Sequence, residues 1–315
     1  MTAESVLQKV LDGPTVPYAG EITITHWSGR AAHAEEARVY VASPDRYRYE
    51  FLNPSGEVSR VVVGTGGFEY VLLPDRGKIL HGQAAHGTAA KRAPSKILAL
   101  VTANYSASPP EEDEMAGRDV LTLELTPRAA GKPRERLWLD PQTGVLLALR
   151  RYGPETTDAA AVRFVHFEPN PEFEPNFFDV EKTSESIVKD HGLRDANKSL
   201  SDLAKNGRAY PESLPYGFVF TGGSQFRVQG ETVTQFTYSD GLTVVSIFET
   251  ALPVRPEAPA DNETHFSADG LTTLSLHFPT RVVHGRGGKY FLTVMGDGNE
   301  TLLNRICQGW PSSQK

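Results

Sequence analysis

Alternation of apolar and polar residues is the main pattern in the first half of the chain. Two runs show it most clearly, and their apolar members are Tyr47, Tyr49, Phe51, Phe68, Tyr70 and Leu72. Because successive side chains of a strand point to opposite faces, each run predicts a half-buried antiparallel strand. Turn residues such as Gly64-Thr65-Gly66-Gly67 separate the runs at hairpin spacing. The pattern therefore predicts a meander without crossover helices.

Short helical patterns interrupt this alternation at two places. Apolar residues at i, i+1, i+4 and i+5 predict a helix over residues 4–11, and Pro94 opens a second helix over residues 94–101. Alternation then resumes over residues 121–125, 134–139, 145–152 and 162–167. Together these runs predict about nine or ten strands in one long sheet. The acidic run at residues 111–114 is predicted to be a solvated loop.

A proline-rich stretch at residues 169–176 ends this first series, because proline removes the N–H donors that a sheet interior needs. A second series of strands is predicted at residues 218–221, 226–228, 232–238, 243–249, 272–278, 281–283 and 289–295. A capped helix over residues 299–308 follows it. We expect a first domain at residues 1–183, a polar linker at 184–208 with a short helix near residues 200–205, and a second domain at 209–315.

Composition narrows the class of protein. The chain has 315 residues, of which 39% are apolar and 23% are charged, so disordered and fibrous classes are excluded. The formal charge of −7 argues against a nucleic-acid surface, which needs a concentrated basic face. The single cysteine, Cys307, excludes intramolecular disulfides and thiolate zinc sites. No apolar run approaches the ~18 residues of a membrane-spanning helix.

Motifs for catalysis or metal binding are isolated. His81 and His86 have a spacing that suits neither a helix nor a strand face, so we predict loop histidines. Two strand patterns flank Gly285-Arg286-Gly287-Gly288-Lys289, which predicts a hairpin turn rather than a phosphate loop. Ser186-Ile187-Val188-Lys189 lacks the companion motifs of an acyl-transfer site. Cys307 is expected to be a small core residue. We therefore predict no enzyme, no metal and no cofactor.

A long sheet with one apolar face must cover that face, and a meander does so by curling around helices or around an apolar ligand. The concave face is therefore the predicted place for a ligand. The candidate ligand-binding residues are the apolar members of the two alternating runs, Tyr47, Tyr49, Phe51, Phe68, Tyr70 and Leu72.

Two stretches of the chain resemble a known family. The first consists of Tyr18-Ala19-Gly20, Arg38-Val39-Tyr40, Pro44-Asp45-Arg46-Tyr47-Arg48-Tyr49-Glu50-Phe51-Leu52 and Gly56-Glu57-Val58, and it resembles the N-terminal domain of the MucB/RseB family. The second consists of Leu214-Pro215-Tyr216-Gly217-Phe218, Thr237-Tyr238-Ser239-Asp240-Gly241-Leu242-Thr243-Val244-Val245-Ser246-Ile247-Phe248 and Val294-Met295-Gly296-Asp297, and it is similar to that family's C-terminal domain.

The resemblance implies a mainly β (α+β) fold. It consists of an N-terminal half-open antiparallel barrel of the LolA/LolB type with covering helices, and a smaller C-terminal antiparallel β-domain with a terminal helix. It also implies a periplasmic regulator that binds the periplasmic part of a membrane-anchored anti-sigma factor and shields it from proteolysis. Lipid or lipopolysaccharide fragments would release that partner. From strand alternation, the candidate partner-binding residues are Tyr238, Ser239, Asp240 and Phe248.

Periplasmic location would require that a signal peptide, for which residues 1–8 give no pattern, has been removed. Two other classes of function stay open at this point. One is a lipid or lipoprotein carrier that uses the same half-barrel. The other is a hydrolase, which only isolated residues such as Ser186 and His81 would support.

Overall fold

A computed structural model describes residues 1–28, 31–83, 94–154, 159–180, 187–190, 198–204, 209–228, 230–251 and 281–311. The loop at residues 84–93, His86, Ser186 and the strand predicted at residues 272–278 lie outside these ranges. Within them the chain forms two sheets and four α-helices.

The large sheet has 13 strands among the described residues. They are β1 (Tyr18–Ser28), β2 (Ala31–Ser43), β3 (Arg46–Leu52), β4 (Val58–Thr65), β5 (Phe68–Leu73), β6 (Lys78–Gln83), β7 (Tyr105–Ala107), β8 (Glu111–Met115), β9 (Arg118–Pro127), β10 (Arg134–Leu139), β11 (Leu146–Tyr152), β12 (Ala159–Pro169) and β13 (Ile187–Asp190). Their order is β13-β6-β5-β4-β3-β2-β1-β12-β11-β10-β9-β7, with β8 also paired to β9. Hairpin pairing of neighbours in sequence confirms the predicted meander.

Two helices, α1 (Ala3–Asp12) and α2 (Pro94–Asn104), cover the inner face of this curled sheet. The hydroxyl of Thr2 caps α1 by accepting from the Ser5 N–H at 3.2 Å. Val6 and Leu7 of α1 and Val101 of α2 join the buried strand residues in one core. Both helices were predicted from the sequence, and their apolar faces close the half-open barrel.

The segment after β12 covers part of the outer face, which is the face turned away from α1 and α2. Phe173 and Phe177 stack with ring centroids 5.6 Å apart, and Phe177 meets the ring of Tyr40 edge-on at 4.9 Å. The guanidinium of Arg48 lies 5.7 Å from the Phe177 centroid. The three prolines therefore end the strand, as predicted, and the aromatic residues between them keep the segment on the sheet.

One edge of the large sheet differs from the prediction. The acidic run forms strand β8 rather than a loop, and β7 and β8 both pair with the side of β9 that faces away from β10. Pro109 and Pro110 separate the two short strands. Alternation could not reveal β8, because its four acidic side chains are exposed and carry no apolar face.

The small sheet has six strands among the described residues, in the order β14-β15-β16-β17-β19-β18. They are β14 (Ser213–Leu214), β15 (Phe218–Val228), β16 (Glu231–Ser239), β17 (Val244–Thr250), β18 (Arg281–Gly287) and β19 (Tyr290–Gly296). The terminal helix α4 (Glu300–Gln308) packs Leu303, Ile306 and Cys307 into its core, and Asn299 caps the helix. The hairpin predicted around Gly288 and the terminal helix are confirmed.

Two segments pair more extensively than predicted. Separate strands were predicted at residues 218–221 and 226–228, yet β15 is continuous through Gly222 and Gly223 and has a bulge there. Gly223 is required there, because a Cβ at this position would lie 2.3 Å from the Leu203 side chain of helix α3 (Leu200–Leu203). The polar stretch predicted as a linker contributes α3 and also β13, which pairs in parallel with β6.

The chain is therefore mainly β. It consists of a half-open antiparallel barrel with covering helices, and a smaller antiparallel sheet with a terminal helix. This is the predicted fold class.

Candidate binding site

Three of the predicted ligand-binding residues lie on the inner face of the large sheet. Tyr47, Tyr49 and Phe51 of β3 are each 3–4% exposed and belong to the core that α1 and α2 complete. The Tyr47 hydroxyl donates to Glu69 Oε2 at 2.7 Å. Gly64 leaves room for the Tyr47 ring, since a Cβ there would lie 2.2 Å from it. These three side chains are therefore buried in the core that also contains residues of α1 and α2.

The other three candidates lie on the outer face. Tyr47 pairs with Gly64, and Gly64 pairs with Glu69, so Glu69 lies on the same face as Tyr47. Its neighbours Phe68 and Tyr70 therefore lie on the opposite face. By the same register Leu72 pairs with Val61, which is opposite Glu50. The expectation of one continuous six-residue face is therefore wrong. Phe68 is 39% exposed and stacks on His81, with ring centroids 5.2 Å apart.

The predicted partner-binding residues also do not share one surface. Tyr238 is fully buried in the small-sheet core and donates to the Pro211 carbonyl at 2.8 Å. Burial raises the pKa of its hydroxyl well above the usual range. Phe248 faces the opposite side of the sheet, where its half-buried ring lies edge-on to that of Phe226, with ring centroids 6.5 Å apart. Ser239 and Asp240 begin the turn that joins β16 to β17.

This turn, residues 239–243, is one of the places where the two sheets meet. Asp240 Oδ1 accepts from the backbone N–H groups of Leu242 and Thr243 at 3.0 and 2.8 Å. Gly241 has φ +106° and fits against α2, because a Cβ there would lie 2.8 Å from Val101 Cγ2. The Leu242 side chain is counted among the buried residues of the large-sheet core. Residues 239–243 of the small sheet therefore insert into the half-barrel, and we call this turn the plug.

A buried ion pair holds this plug. Lys132, in the loop between β9 and β10, places Nζ 2.7 Å from Asp240 Oδ2, and both side chains are at most 1% exposed. The Tyr105 hydroxyl donates to the same oxygen at 3.0 Å. Burial, and then the negative charge of Asp240, raise the pKa of Tyr105 well above its ordinary value. Asn104 Nδ2 donates to the Asp240 carbonyl at 3.1 Å.

A second buried cation crosses the same interface. Arg151 of β11 pairs with Glu135 of β10, and its Nη1 lies 2.9 Å from Asp297 Oδ2, beyond β19. Its Nη2 donates to the Leu242 carbonyl at 3.1 Å. Burial raises the pKa of Glu135 to about 7, although the charge of Arg151 acts in the opposite direction. One oxygen of Glu135, Oε2, has no hydrogen-bond partner among the described residues.

The predicted site residues did not include Lys132, Glu135, Arg151 or Asp297. For Glu135 and Arg151, however, the sequence contained a signal. Glu135 precedes Leu137 and Leu139 at a spacing of two, and Arg151 follows Leu147 and Leu149 in the same way. Both charges therefore fall on the apolar face of their strands. They also lie directly opposite each other in the β10–β11 pairing.

The described residues also bear on other classes of site. No group of three or more His, Cys, Asp or Glu side chains there is placed to hold a metal ion. Within the same ranges, no helix combines the length and the apolar character needed to cross a membrane. Cys307 is buried, and burial raises the pKa of its thiol, as expected for a core residue.

The fold, a half-barrel with a smaller second sheet, is shared with solved structures. A chain of the Pseudomonas aeruginosa MucA/MucB complex matches with a TM-score of 0.65 at 18% identity, covering 99% of both chains. A chain from the crystal structure of MucB in complex with MucA(peri) gives 0.61 at 18% identity, covering 99% of this chain and 100% of the other. MucB itself gives 0.55 at 18% identity, covering 99% and 98%.

These matches cover 99% of the chain and show that it has the fold of MucB, so the predicted resemblance to the MucB/RseB family is confirmed at the level of the fold. No protein-family model matches the sequence. A search of curated proteins gives no match either.

Proposed function

We propose that this protein is a periplasmic binding regulator of an envelope-stress sigma factor pathway. It binds the periplasmic part of a membrane-anchored anti-sigma factor and protects it from proteolysis. The observation that supports this is the likeness to MucB over 99% of the chain, including two structures in which MucB is in complex with MucA. Membership of the MucB/RseB family is part of the same proposal.

The proposed domains are residues 1–183 and 209–315, joined by a linker at 184–208. Two separate hydrophobic cores, one under each sheet, support this division. The plug and its two buried cations connect the domains. A domain division of this kind allows a partner to be held by both units at once.

Of the proposed partner-binding residues, Ser239 and Phe248 are only partly buried, whereas Tyr238 and Asp240 are fully buried. A partner would reach Asp240 only after the plug has left the half-barrel. Partner binding through this residue would therefore be linked to a change in the contact between the two sheets.

Release of the partner by lipid or lipopolysaccharide is the second part of the proposal. A lipid that binds one arrangement of the two sheets better than the other would shift the population and lower the affinity for the partner. On the inner face, a lipid would have to displace α1 or α2 to reach Tyr49 and Phe51, which are 4% exposed. On the outer face, Phe68, Tyr70 and Leu72 are reached without such a movement.

The test is calorimetric titration of the protein with the periplasmic segment of an anti-sigma factor from the same organism. Saturable binding that weakens when phospholipid or a lipopolysaccharide fragment is added supports the regulator. Protection of the segment from a periplasmic protease is measured in parallel. Absence of any complex at tens of micromolar would overturn the proposal.

The same titration distinguishes the alternative function, a lipid or lipoprotein carrier of the LolA/LolB type. A carrier binds lipid and not the anti-sigma segment. Tyr49→Asp and Phe68→Asp form a matched pair, because the two residues lie on opposite faces of neighbouring parts of the sheet. Loss of lipid binding in Tyr49→Asp alone would indicate the inner face, and loss in Phe68→Asp alone the outer face.

A further inference from the structure

The outer face of the large sheet carries a groove of about 540 Å³ that none of the site residues above uses. Its floor is made by short side chains, Thr25, Ala148 and Ala161, and its walls include Trp27 and Trp138. Ile24 and Leu149, the neighbours of Thr25 and Ala148, belong to the core, so the floor residues point away from α1 and α2. The groove crosses four adjacent strands, β10, β11, β12 and β1.

Among the described residues, arginines outnumber carboxylates around this groove, although the formal charge of the protein is −7. Two carboxylates border it: Glu124 lies directly opposite Arg136 and is paired with Arg134, and Asp113 accepts from the Trp138 indole at 3.0 Å. Arg150 and Arg163 line the groove, and Arg136 lies directly opposite Arg150 in the β10–β11 pairing. Like charges in directly opposed positions of an antiparallel pair repel each other. In the part of the chain that the structure describes, none of these three guanidinium groups has a carboxylate within 4.0 Å. Nε of Arg150 is buried without a hydrogen-bond partner there.

Aromatic rings hold two of these cations, Arg150 and Arg136, in place. The guanidinium of Arg150 lies 5.1 Å from the Trp27 centroid and 4.8 Å from that of Tyr152. The guanidinium of Arg136 lies 5.0 Å from the centroid of Trp138. Each contact leaves the edge of the guanidinium, where its N–H donors are, free for an anion. The groove therefore offers both cationic donors and large apolar surfaces.

We propose that this groove binds an extended peptide segment of a partner protein, with acidic side chains next to apolar or aromatic ones. The carboxylates would neutralise the three arginines, and the apolar side chains would lie on the short floor residues between Trp27 and Trp138. The inference rests on the proposed function, because the segment is taken to belong to the anti-sigma partner.

The dimensions fit a peptide of a few residues. Trp27 and Trp138 are separated by three strand spacings across the sheet, about 14 Å, and by about 13 Å along the strands. The diagonal is about 19 Å, which an extended chain of about six residues spans. An acyl chain fits less well, because a lipid carries its charge at one end, whereas the arginines here alternate with indole rings. The groove also lies open to water, with Val165 at its border 62% exposed.

The test uses the full chain and the periplasmic segment of the anti-sigma factor. Arg163→Glu, at an exposed position, is expected to raise the Kd at least tenfold, and Trp27→Ala about tenfold. The matched control is Arg286→Glu, an exposed arginine on the small sheet whose guanidinium lies 4.5 Å from the Phe291 centroid. It should stay within twofold of wild type. Circular dichroism and thermal unfolding verify that each variant is folded.

The other outcomes separate this inference from the proposed function. If the segment binds wild type and Arg163→Glu equally, the groove inference is wrong and the regulator stands. If the segment does not bind wild type, the regulator fails, and the groove is tested with the hexapeptide Asp-Leu-Glu-Phe-Glu-Leu against its lysine counterpart. Binding of the acidic peptide alone, lost in Arg163→Glu, supports the groove, and no binding overturns it. If Arg163→Glu loses binding to phosphatidylglycerol vesicles but keeps its binding to the peptide segment, the groove binds lipid and the peptide proposal is overturned.

Discussion

Lys132 lies in a loop of the large sheet and Asp240 in a turn of the small sheet, yet they form a buried ion pair with Nζ and Oδ2 2.7 Å apart. Removing one member of such a pair leaves the other charge buried without compensation, whereas the intact pair contributes little net stability. The pair therefore acts mainly on the position of the plug, and less on the total stability of the fold.

The first prediction concerns this pair. Lys132→Met keeps the volume of the side chain and leaves the Asp240 carboxylate uncompensated. We expect the free energy of unfolding to fall by about 3 kcal/mol, measured by urea denaturation. Lys289→Met, at an exposed position of the β18–β19 hairpin, serves as the control. A change below about 0.5 kcal/mol in Lys132→Met would show that solvent reaches Asp240.

The second prediction concerns pH. The pKa of Glu135 is raised in the folded state from 4.5 to about 7, so the fold favours its protonated form. Its contribution to stability is therefore full below pH 4.5 and is lost as the pH rises through about 7. In Glu135→Gln this dependence should disappear. The measurement is the difference in unfolding free energy between the two proteins from pH 4.5 to 8. A difference that stays constant over this range would contradict the raised pKa.

The third prediction concerns the contact between the sheets. Leu242 inserts into the core of the large sheet, so Leu242→Ala removes apolar contact where the plug meets the half-barrel. We expect the radius of gyration in small-angle X-ray scattering to increase while the far-ultraviolet circular dichroism stays unchanged. Faster cleavage within residues 239–243 under limited proteolysis should accompany it. Ile306→Ala in α4, which is buried in the small-sheet core, should destabilise without opening the contact.

The fourth prediction concerns the space beside Tyr47. A Cβ at Gly64 would lie 2.2 Å from the Tyr47 ring, so Gly64→Ala must displace the ring and its bond to Glu69. We expect a loss of about 1–3 kcal/mol in the free energy of unfolding. The double variant Gly64→Ala with Tyr47→Leu should recover part of this loss, because the smaller side chain relieves the clash. Additive losses would mean that the ring is not the obstacle.

Much of the fold could be predicted because each strand carries its own pattern. The helices at α1, α2 and α4 and the meander of β3 to β5 follow from local periodicity and turn residues alone. Which face a strand presents depends on register, and register depends on the hairpin that joins the strands. Thr65 pairs with Phe68 across Gly66-Gly67, which sends Phe68 to the face opposite Tyr47. The apolar pattern of either strand does not contain this relationship.

The contact between the two sheets could be predicted least. Asp240 looks like an ordinary turn residue in Ser239-Asp240-Gly241, since its carboxylate does cap the turn. Its second role, as partner of Lys132, joins positions more than 100 residues apart. Charged residues in strands usually face water, so a buried network of this kind gives no local signal other than its place on an apolar face.

The exposed edge of β8 affects how the protein behaves at high concentration. A strand edge with unpaired backbone groups invites a second copy to extend the sheet. Here Pro109 and Pro110 interrupt the edge, and Glu111, Glu112 and Glu114 would meet like charges on an approaching copy. The open end of a large sheet is thereby protected against ordered self-addition, and this protection weakens with ionic strength because salt screens exposed charges.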